Sequence, residues 1–221
     1  MKTLVIDIGG SHVKLLATGK RTPLKLPSGP TLTPGAMVDE VLAATTDWSF
    51  ENISIGYPGP VVKDHPAMEP VNLGRGWVKF DYATAFKKPV RIVNDAAMQA
   101  LGSYDGGRML FLGLGTGLGS ALVHDDVLIP LELAHLPYRK ERTYEDYVGE
   151  AGRHRLGNEK WGKHVASVVE LFLAAITSEY CVLGGGNVRH LDTLPANTRR
   201  GSNLNAFRGG YRMWQKGAPL T

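Results

Sequence analysis

One thiol, Cys181, is all the cysteine in the 221 residues. That excludes a disulfide framework within the chain and any zinc site built from several thiolates. No apolar run approaches the roughly 18 residues that a membrane-spanning helix requires. The nearest candidate, residues 165–176, is interrupted by Ser167 and Glu170. The opening MKTLVIDIGG lacks the layout of a secretory signal and reads as a strand entering a turn. A soluble, cytoplasmic protein with no membrane partner is the expectation. Charge of one sign is also scarce: 25 Lys plus Arg stand against 21 Asp plus Glu, a net of +4. Such a balance allows an anionic ligand without demanding nucleic acid. Hydrophobic residues at 43% and charged residues at 21% are ordinary for a globular chain, and the length suits one large domain or two small ones.

Glycine is what the chain has in excess. There are 27, roughly 12% against about 7% in average usage, and they come in clusters that mark particular turns. Thr3 to Ile8 reads as a strand, Gly9-Gly10-Ser11 as a turn, and Val13 to Thr18 as a returning strand. Residues 19–34, with four prolines, read as a loop holding at most a short strand. Met37, Val38, Val41, Leu42 and Thr45 keep helical spacing. Ile53 to Tyr57 and Val90 to Val93 are short strands, and residues 58–78 look irregular. A helix is expected from Ala96 to Tyr104. The pattern then restarts. Met109 to Leu114 is a strand, Gly113, Gly115, Gly117 and Gly119 surround Thr116, and Ser120 to Val123 returns before Asp125-Asp126 turns into a third strand. Val165, Val168, Val169, Phe172, Leu173 and Ile176 form an amphipathic helix stripe. Cys181 to Leu183 is a buried strand ending in Gly184-Gly185-Gly186. Strand, glycine-rich turn and strand therefore occur twice, about half a chain apart. A duplicated unit explains this; two unrelated hairpins remain the alternative. The boundary is placed at the Tyr104–Arg108 stretch, giving units 1–106 and 107–221 and leaving open that the last helix packs back on the first unit.

Several of these turns can carry chemistry. In Asp7-Ile-Gly-Gly-Ser-His-Val-Lys14 the glycines let backbone N–H groups close around an anion, with Ser11 or Lys14 available to reach phosphate. Asp7, at the strand end, can hold Mg²⁺ through water. A tight hairpin alone also explains the turn. Four alternating glycines from Gly113 to Gly119 weaken a strand unless a ligand approaches. No Gly-Lys-Ser/Thr closes them, and a strand rather than a helix follows, so neither a P-loop nor a dinucleotide fingerprint fits. A second phosphate-cradling hairpin fits better than a bulged one. Asn94-Asp95 opens a helix. Asn94 suits an N-cap, while Asp95 can accept a proton from a substrate hydroxyl. Glu132 and His135, i and i+3, face the same way if helical and suit hydrogen bonding to a polyol. Gly184 to Gly186 clear space for a flat ligand such as a base, or form a plain turn. From Asn187 onward six basic residues (Arg189, Arg199, Arg200, Arg208, Arg212 and Lys216) meet one acid, Asp192. That run is a solvated face or a surface for a polyanion; no nucleic-acid module accompanies it.

Taken in order, Asp7-Ile-Gly-Gly-Ser, Gly56-Tyr-Pro-Gly59, Asn94-Asp95-Ala96, Gly113-Leu-Gly-Thr-Gly-Leu-Gly119, Glu132-Leu-Ala-His135 and Leu183-Gly-Gly-Gly-Asn187 resemble the ROK family of sugar kinases, in particular its polyphosphate glucokinase branch. The resemblance spans nearly the whole chain. It implies an α/β fold of the two-domain actin/hexokinase type (ribonuclease H-like), with a cleft between domains. It implies transfer of a phosphoryl group from ATP or polyphosphate to the 6-hydroxyl of a hexose, glucose first, with Asp95 as general base. By the same resemblance Asn94, Glu132, His135, Glu145, Gly59 and Asn72 bind the sugar. Gly9, Gly10, Ser11, Lys14, Gly115, Thr116, Gly117 and Gly184, Gly185 and Gly186 face the phosphates or nucleotide, and Asp7 lies near Mg²⁺. A homodimer is also implied. The family's Cys-rich zinc motif has no counterpart here, so no zinc is expected. Ala134 stands where the family has glycine, and the chain is shorter after Gly186. A catalytically silent sugar- or polyphosphate-binding regulator on the same fold is the alternative; retention of Asp7, Asp95 and both glycine loops favours the enzyme.

Overall fold

A computed structural model describes residues 1–202 and 204–215. Lys216, counted above in the basic tail, lies outside the described residues. The first half runs β1 (Thr3–Ile8), β2 (His12–Ala17), β3 (Leu24–Pro27), α1 (Pro34–Ala44), β4 (Asn52–Tyr57), a small hairpin of β5 (Val61–Val62) and β6 (His65–Pro66), α2 (Tyr82–Phe86), β7 (Val90–Asn94) and α3 (Asp95–Ser103). The second half runs β8 (Arg108–Leu114), β9 (Leu118–His124), β10 (Val127–Leu131), β11 (Pro137–Arg139), β12 (Arg142–Thr143), α4 (Tyr144–Val148), α5 (Glu150–Leu156), α6 (Asn158–Ile176), β13 (Tyr180–Gly184), a short 3-10 helix (Gly186–His190), β14 (Thr198–Arg200) and α7 (Asn205–Arg212).

The two large sheets share one topology. The first is ordered β3-β2-β1-β4-β7 and the second β10-β9-β8-β13-β14. In each, the first three strands are an antiparallel meander, and two further strands add in parallel beyond the opening strand. A helix then follows the last strand: α3 in one half, α7 in the other. This equivalence supports the duplicated unit over two unrelated hairpins.

Strand alternation decides what each face meets. Leu4, Ile6 and Ile8 of β1 pack outward with Met37, Val38 and Val41 of α1 and Phe86 of α2. Val5, on the opposite face, joins α3, α7 and Met109 and Phe111 of β8. Leu110, Leu112 and Leu114 of β8 face outward onto Val165, Val168, Val169 and Phe172 of α6. The order of layers is therefore α1/α2, first sheet, α3 with α7, second sheet, α4–α6. Asp7 follows Val5 by two residues and so points inward, between the sheets.

The central helix pair meets through glycine. A Cβ on Gly102 of α3 would lie 1.8 Å from the Asn205 carbonyl oxygen, and one on Gly209 of α7 would lie 1.8 Å from that of Met98. Only missing side chains let the backbones approach so closely. The end of α7 is also tied to the first sheet. Ser54 Oγ donates to the Gly210 carbonyl at 2.6 Å and accepts from Trp214 Nε1 at 2.9 Å.

The arginines of the tail act within this packing. Arg212 Nη1 donates to the carbonyls of Leu101 (2.6 Å) and Tyr104 (2.8 Å) at the end of α3. Arg199 donates to the Ser103 carbonyl at 2.7 Å, and Arg200 to that of Leu191 at 2.8 Å. Cations satisfying orphan carbonyls at a helix end are favourable. Three of the tail's charges are thus engaged by backbone, against the reading of that run as a free polyanion surface. Arg212→Met is expected to cost about 1–3 kcal/mol of stability, seen as a lower urea midpoint with an unchanged slope.

Candidate active site

The parallel strands β1, β4 and β7 end side by side. Their register sets Asp7 opposite Gly56, and Gly56 opposite Val93. Ligands of open α/β sheets gather beyond such carboxyl ends. Asp7 is 7% exposed, and its Oδ2 accepts a 3.0 Å ion pair from Lys14 Nζ on the antiparallel neighbour β2. Lys14 thus stands at the Asp7 carboxylate with 40% of its side chain exposed.

Asn94 closes β7 and caps α3. Its Oδ1 accepts from the N–H groups of Ala96 (2.9 Å) and Ala97 (3.2 Å), while its Nδ2 donates to the Gly59 carbonyl at 3.1 Å. Asp95 follows as the first residue of α3. Burial, and then the negative charge of Asp7, push its carboxyl up to about 7, against the opposing pull of the Ala96 N–H and Lys14. A carboxyl held near neutrality is suited to proton exchange at physiological pH. Gly56 makes room here, since a Cβ on it would press on Met98 Cε at 2.4 Å and reach the Asp95 Cα at 3.5 Å.

The second half closes on this point. A Cβ on Gly119 of β9 would meet that of Ala96 at 2.6 Å, so glycine lets the second hairpin lie against the start of α3. A Cβ on Gly117 would stand 2.2 Å from Glu145 Oε2, and that oxygen accepts from the Leu118 N–H at 3.0 Å. Glu145 sits on α4, which Thr143 and Asp146 start as a reciprocal capping box. Glu132 and His135 are not on a helix: they lie in a turn after β10, closed by the Leu136 N–H on the Leu133 carbonyl at 3.3 Å. The helical spacing argument for this pair is therefore corrected: the residues between β10, which ends at Leu131, and β11, which starts at Pro137, form the connecting turn, so no helical face carries the pair. The turn still groups the charges, because burial raises the Glu132 carboxyl, with His135 opposing and Glu145 adding to the rise.

A cavity of about 370 Å³ collects residues from both halves. Gly10, Pro58 and the loop Pro70–Leu73, with Asn72, line one side. Thr116, Gly117, His135 and Glu145 line the other. Gly9 turns the first hairpin through its N–H to the His12 carbonyl (3.0 Å), and Ser11 is exposed beyond it. Gly115, Thr116 and Gly117 form the second turn, closed by the Gly115 N–H on the Gly117 carbonyl at 3.1 Å. Gly184, Gly185 and Gly186 are not among the residues lining this cavity; Gly184 ends β13, Gly185 and Gly186 lead into the 3-10 helix, and Gly185 lies against the start of the second turn. Gly185 has φ +85°, and a Cβ there would strike the Leu114 carbonyl oxygen at 2.4 Å.

Two residues had no assigned role in the sequence. Asn187, directly after the three glycines, donates to the Gly115 carbonyl at 2.8 Å and accepts from Arg153 Nε at 3.2 Å. Its place at the end of the glycine run was the available signal. Glu69 fixes the cavity loop by accepting the N–H groups of Gly76, Trp77 and Val78 at 3.0 to 3.4 Å. Nothing in the local sequence announces that clamp.

Among the described residues no group of three or more His, Cys, Asp or Glu forms a metal cage. Asp7 nevertheless fits magnesium, which characteristically takes one or two carboxylates and completes its shell with water and substrate phosphates. The repulsion between Asp7 and Asp95, only partly offset by Lys14, is the charge excess a divalent cation at Asp7 would relieve.

No family model matches the chain. The chain is 28% identical over 204 residues to the polyphosphate glucokinase of Mycobacterium leprae, across 85% of this chain and 60% of that protein. Its fold superposes on the inorganic polyphosphate/ATP-glucomannokinase of Arthrobacter sp. strain KM with a TM-score of 0.79 at 21% identity, over 94% and 96% of the two chains. It likewise superposes on a ROK family glucokinase from Streptomyces griseus in complex with glucose and AMPPNP, with a TM-score of 0.76 at 16% identity, over 95% and 97%. The resemblance in the motifs is borne out at both levels: the chain shares the fold of these solved kinases, two α/β halves about a cleft, and it is similar in sequence to the polyphosphate glucokinases.

Proposed function

We propose that the protein is a hexokinase-type phosphotransferase that moves a phosphoryl group from ATP or polyphosphate to the 6-hydroxyl of a hexose, glucose first. The observation that carries this is the cavity of about 370 Å³ onto which both glycine hairpins open, with Asn72 on one wall and His135 and Glu145 on the other. A sugar needs hydroxyl ligands and a phosphoryl donor needs backbone N–H groups, and here the two sets share one space. The kinases named above support the same reading.

In this reading Asn94, Glu132, His135, Glu145, Gly59 and Asn72 hold the sugar. Gly10, Ser11, Thr116 and Gly117 present N–H groups and hydroxyls to the phosphates, Gly9 and Gly115 shape the two turns, Lys14 stands beside the first turn, and the Gly184–Gly186 turn lies beside the second. Asp7 would hold Mg²⁺, which when bound would neutralise charge on the transferred group. Phosphoryl transfer asks little covalent chemistry of the protein and much positioning. Asp95 accepts the hydroxyl proton as the sugar oxygen bonds to phosphorus and the donor's bridging oxygen departs. Closure of residues 1–106 on 107–221 excludes water from the donor. Gly106 (φ +89°) and Gly107 (φ +70°) lie at that junction. Homodimerisation, implied by the resemblance, belongs to the same proposal, and light scattering checks it.

The pH dependence of sugar phosphorylation tests the assignment. A base titrating near 7 makes kcat/KM rise tenfold per pH unit on the acid side and level off above neutrality. A flat profile from pH 5.5 to 8 contradicts Asp95 as the base.

A further inference from the structure

Beside the second glycine turn, two helix ends deliver basic side chains to the same place. Arg153 and His154 come from the last turn of α5, and Arg189 and His190 from the 3-10 helix after the Gly184–Gly186 turn. Within each set the neighbours touch: Arg153 Nη2 is 2.7 Å from His154 Nε2, and Arg189 Nε donates to His190 Nε2 at 3.2 Å; the two sets are joined where Arg153 Nε donates to Asn187 Oδ1 of the 3-10 helix at 3.2 Å. Among the described residues none of the four has a carboxylate at salt-bridge distance. Burial, then Arg153, Arg189 and His154, hold the His190 imidazole below its usual range, as expected where like charges crowd. Helix C-termini tolerate cations, but one short helix and one 3-10 turn do not account for two such sets converging. The cluster is also wired to the donor side. Asn187 is buried, with its Nδ2 on the Gly115 carbonyl and its Oδ1 taking the Arg153 Nε–H.

We propose that Arg153, His154, Arg189 and His190 form the binding track for the trailing phosphates of a linear inorganic polyphosphate chain whose terminal phosphoryl group reaches the glycine hairpins. This rests on the sugar-kinase reading for which group is transferred. A chain of phosphates offers a charge at every residue, so a row of guanidiniums without carboxylate partners suits it. A purine ring instead wants apolar or aromatic flanks, and the side chains projecting beyond Gly186 are Arg189 and His190. The site is distinct from the tail arginines Arg199 and Arg200, which the backbone already holds.

Binding of long-chain polyphosphate to the full-length protein, followed by calorimetry at two salt concentrations, tests this without requiring turnover. Wild type is expected to bind with an affinity that falls steeply with salt. Arg189→Gln/His190→Gln is expected to lose about tenfold or more, the effect of removing a charge-assisted contact, whereas Arg199→Gln keeps wild-type affinity. Arg189→Gln alone serves if the double variant loses its far-ultraviolet circular dichroism. In turnover, the ratio of kcat/KM with polyphosphate to that with ATP is expected to fall in the same variants. Unchanged polyphosphate affinity, or equal losses with ATP and polyphosphate, overturns the proposal. Wild type that binds polyphosphate as described but phosphorylates no hexose leaves the track standing and sinks the kinase reading instead.

Discussion

Asp95→Asn is expected to lower turnover by about 10²- to 10⁴-fold while making the protein more stable at pH 8. The first effect follows from chemistry. An amide of the same shape preserves the start of α3, whose cap is Asn94, and it can still hydrogen-bond a sugar hydroxyl, but it cannot take the proton. Sugar affinity, read by calorimetry, should therefore stay within a few-fold of wild type. The second effect follows from linkage. The Asp95 carboxyl is raised from 3.8 to about 7 by burial and by Asp7, so the folded state holds its proton more tightly than the unfolded state. Its contribution is most favourable below the unfolded pKa and is lost as the pH rises from about 4 to about 7. Above that window the charged form costs up to about 4 kcal/mol, which asparagine removes. Urea unfolding should show a gain for the variant at pH 8 that shrinks as the pH is lowered. A variant that is inactive and less stable at pH 8 would instead indicate damage to the helix start.

Gly209→Ala is expected to destabilise by about 3 kcal/mol, although intrinsic helix propensity alone argues for a gain of about 1 kcal/mol. The new Cβ would lie 1.8 Å from the Met98 carbonyl oxygen and 3.0 Å from the Gly102 nitrogen. Both are backbone atoms of α3, so no side chain can swing aside. The helices must separate, and the separation strains the Ser54 bond to Gly210 and the Arg212 bonds to the end of α3. For a chain of this size the loss appears as a fall in Tm of about 6–12 °C. A Tm equal to or above wild type would mean that the helix crossing is looser than described.

What was legible in the sequence is what local chemistry dictates. Thr3–Ile8 and Arg108–Leu114 are strands because mostly apolar residues, interrupted only by Asp7 in the first and Gly113 in the second, lead to a glycine turn. Asn94 announces its cap, and the α6 stripe its buried face, although α6 begins at Asn158, before the first residue of the periodic run. The small hairpins were less visible. Lys63-Asp64, Asp125-Asp126 and Lys140-Glu141 all take positive φ, and of these only Asp125-Asp126 was read as a turn between strands. What stayed hidden depends on partners roughly a hundred residues away. Gly102 and Gly209 look like weak helix residues until α3 and α7 are set side by side. Arg199 and Arg212 look like free charge until the carbonyls of Ser103, Leu101 and Tyr104 are found beneath them. Glu132 and His135 share a turn rather than a helix face. Glu145, which belongs to none of the ordered motifs, stands on the cavity wall.

The most direct test of the phosphotransferase reading is phosphorus NMR of the purified protein with glucose and Mg²⁺, with ATP and polyphosphate supplied in separate samples. Expected is a new phosphomonoester on the 6-position of glucose with at least one donor, absent in the Asp95→Asn variant. Donor consumed only to free phosphate, or no sugar phosphate from any hexose with either donor, would contradict it.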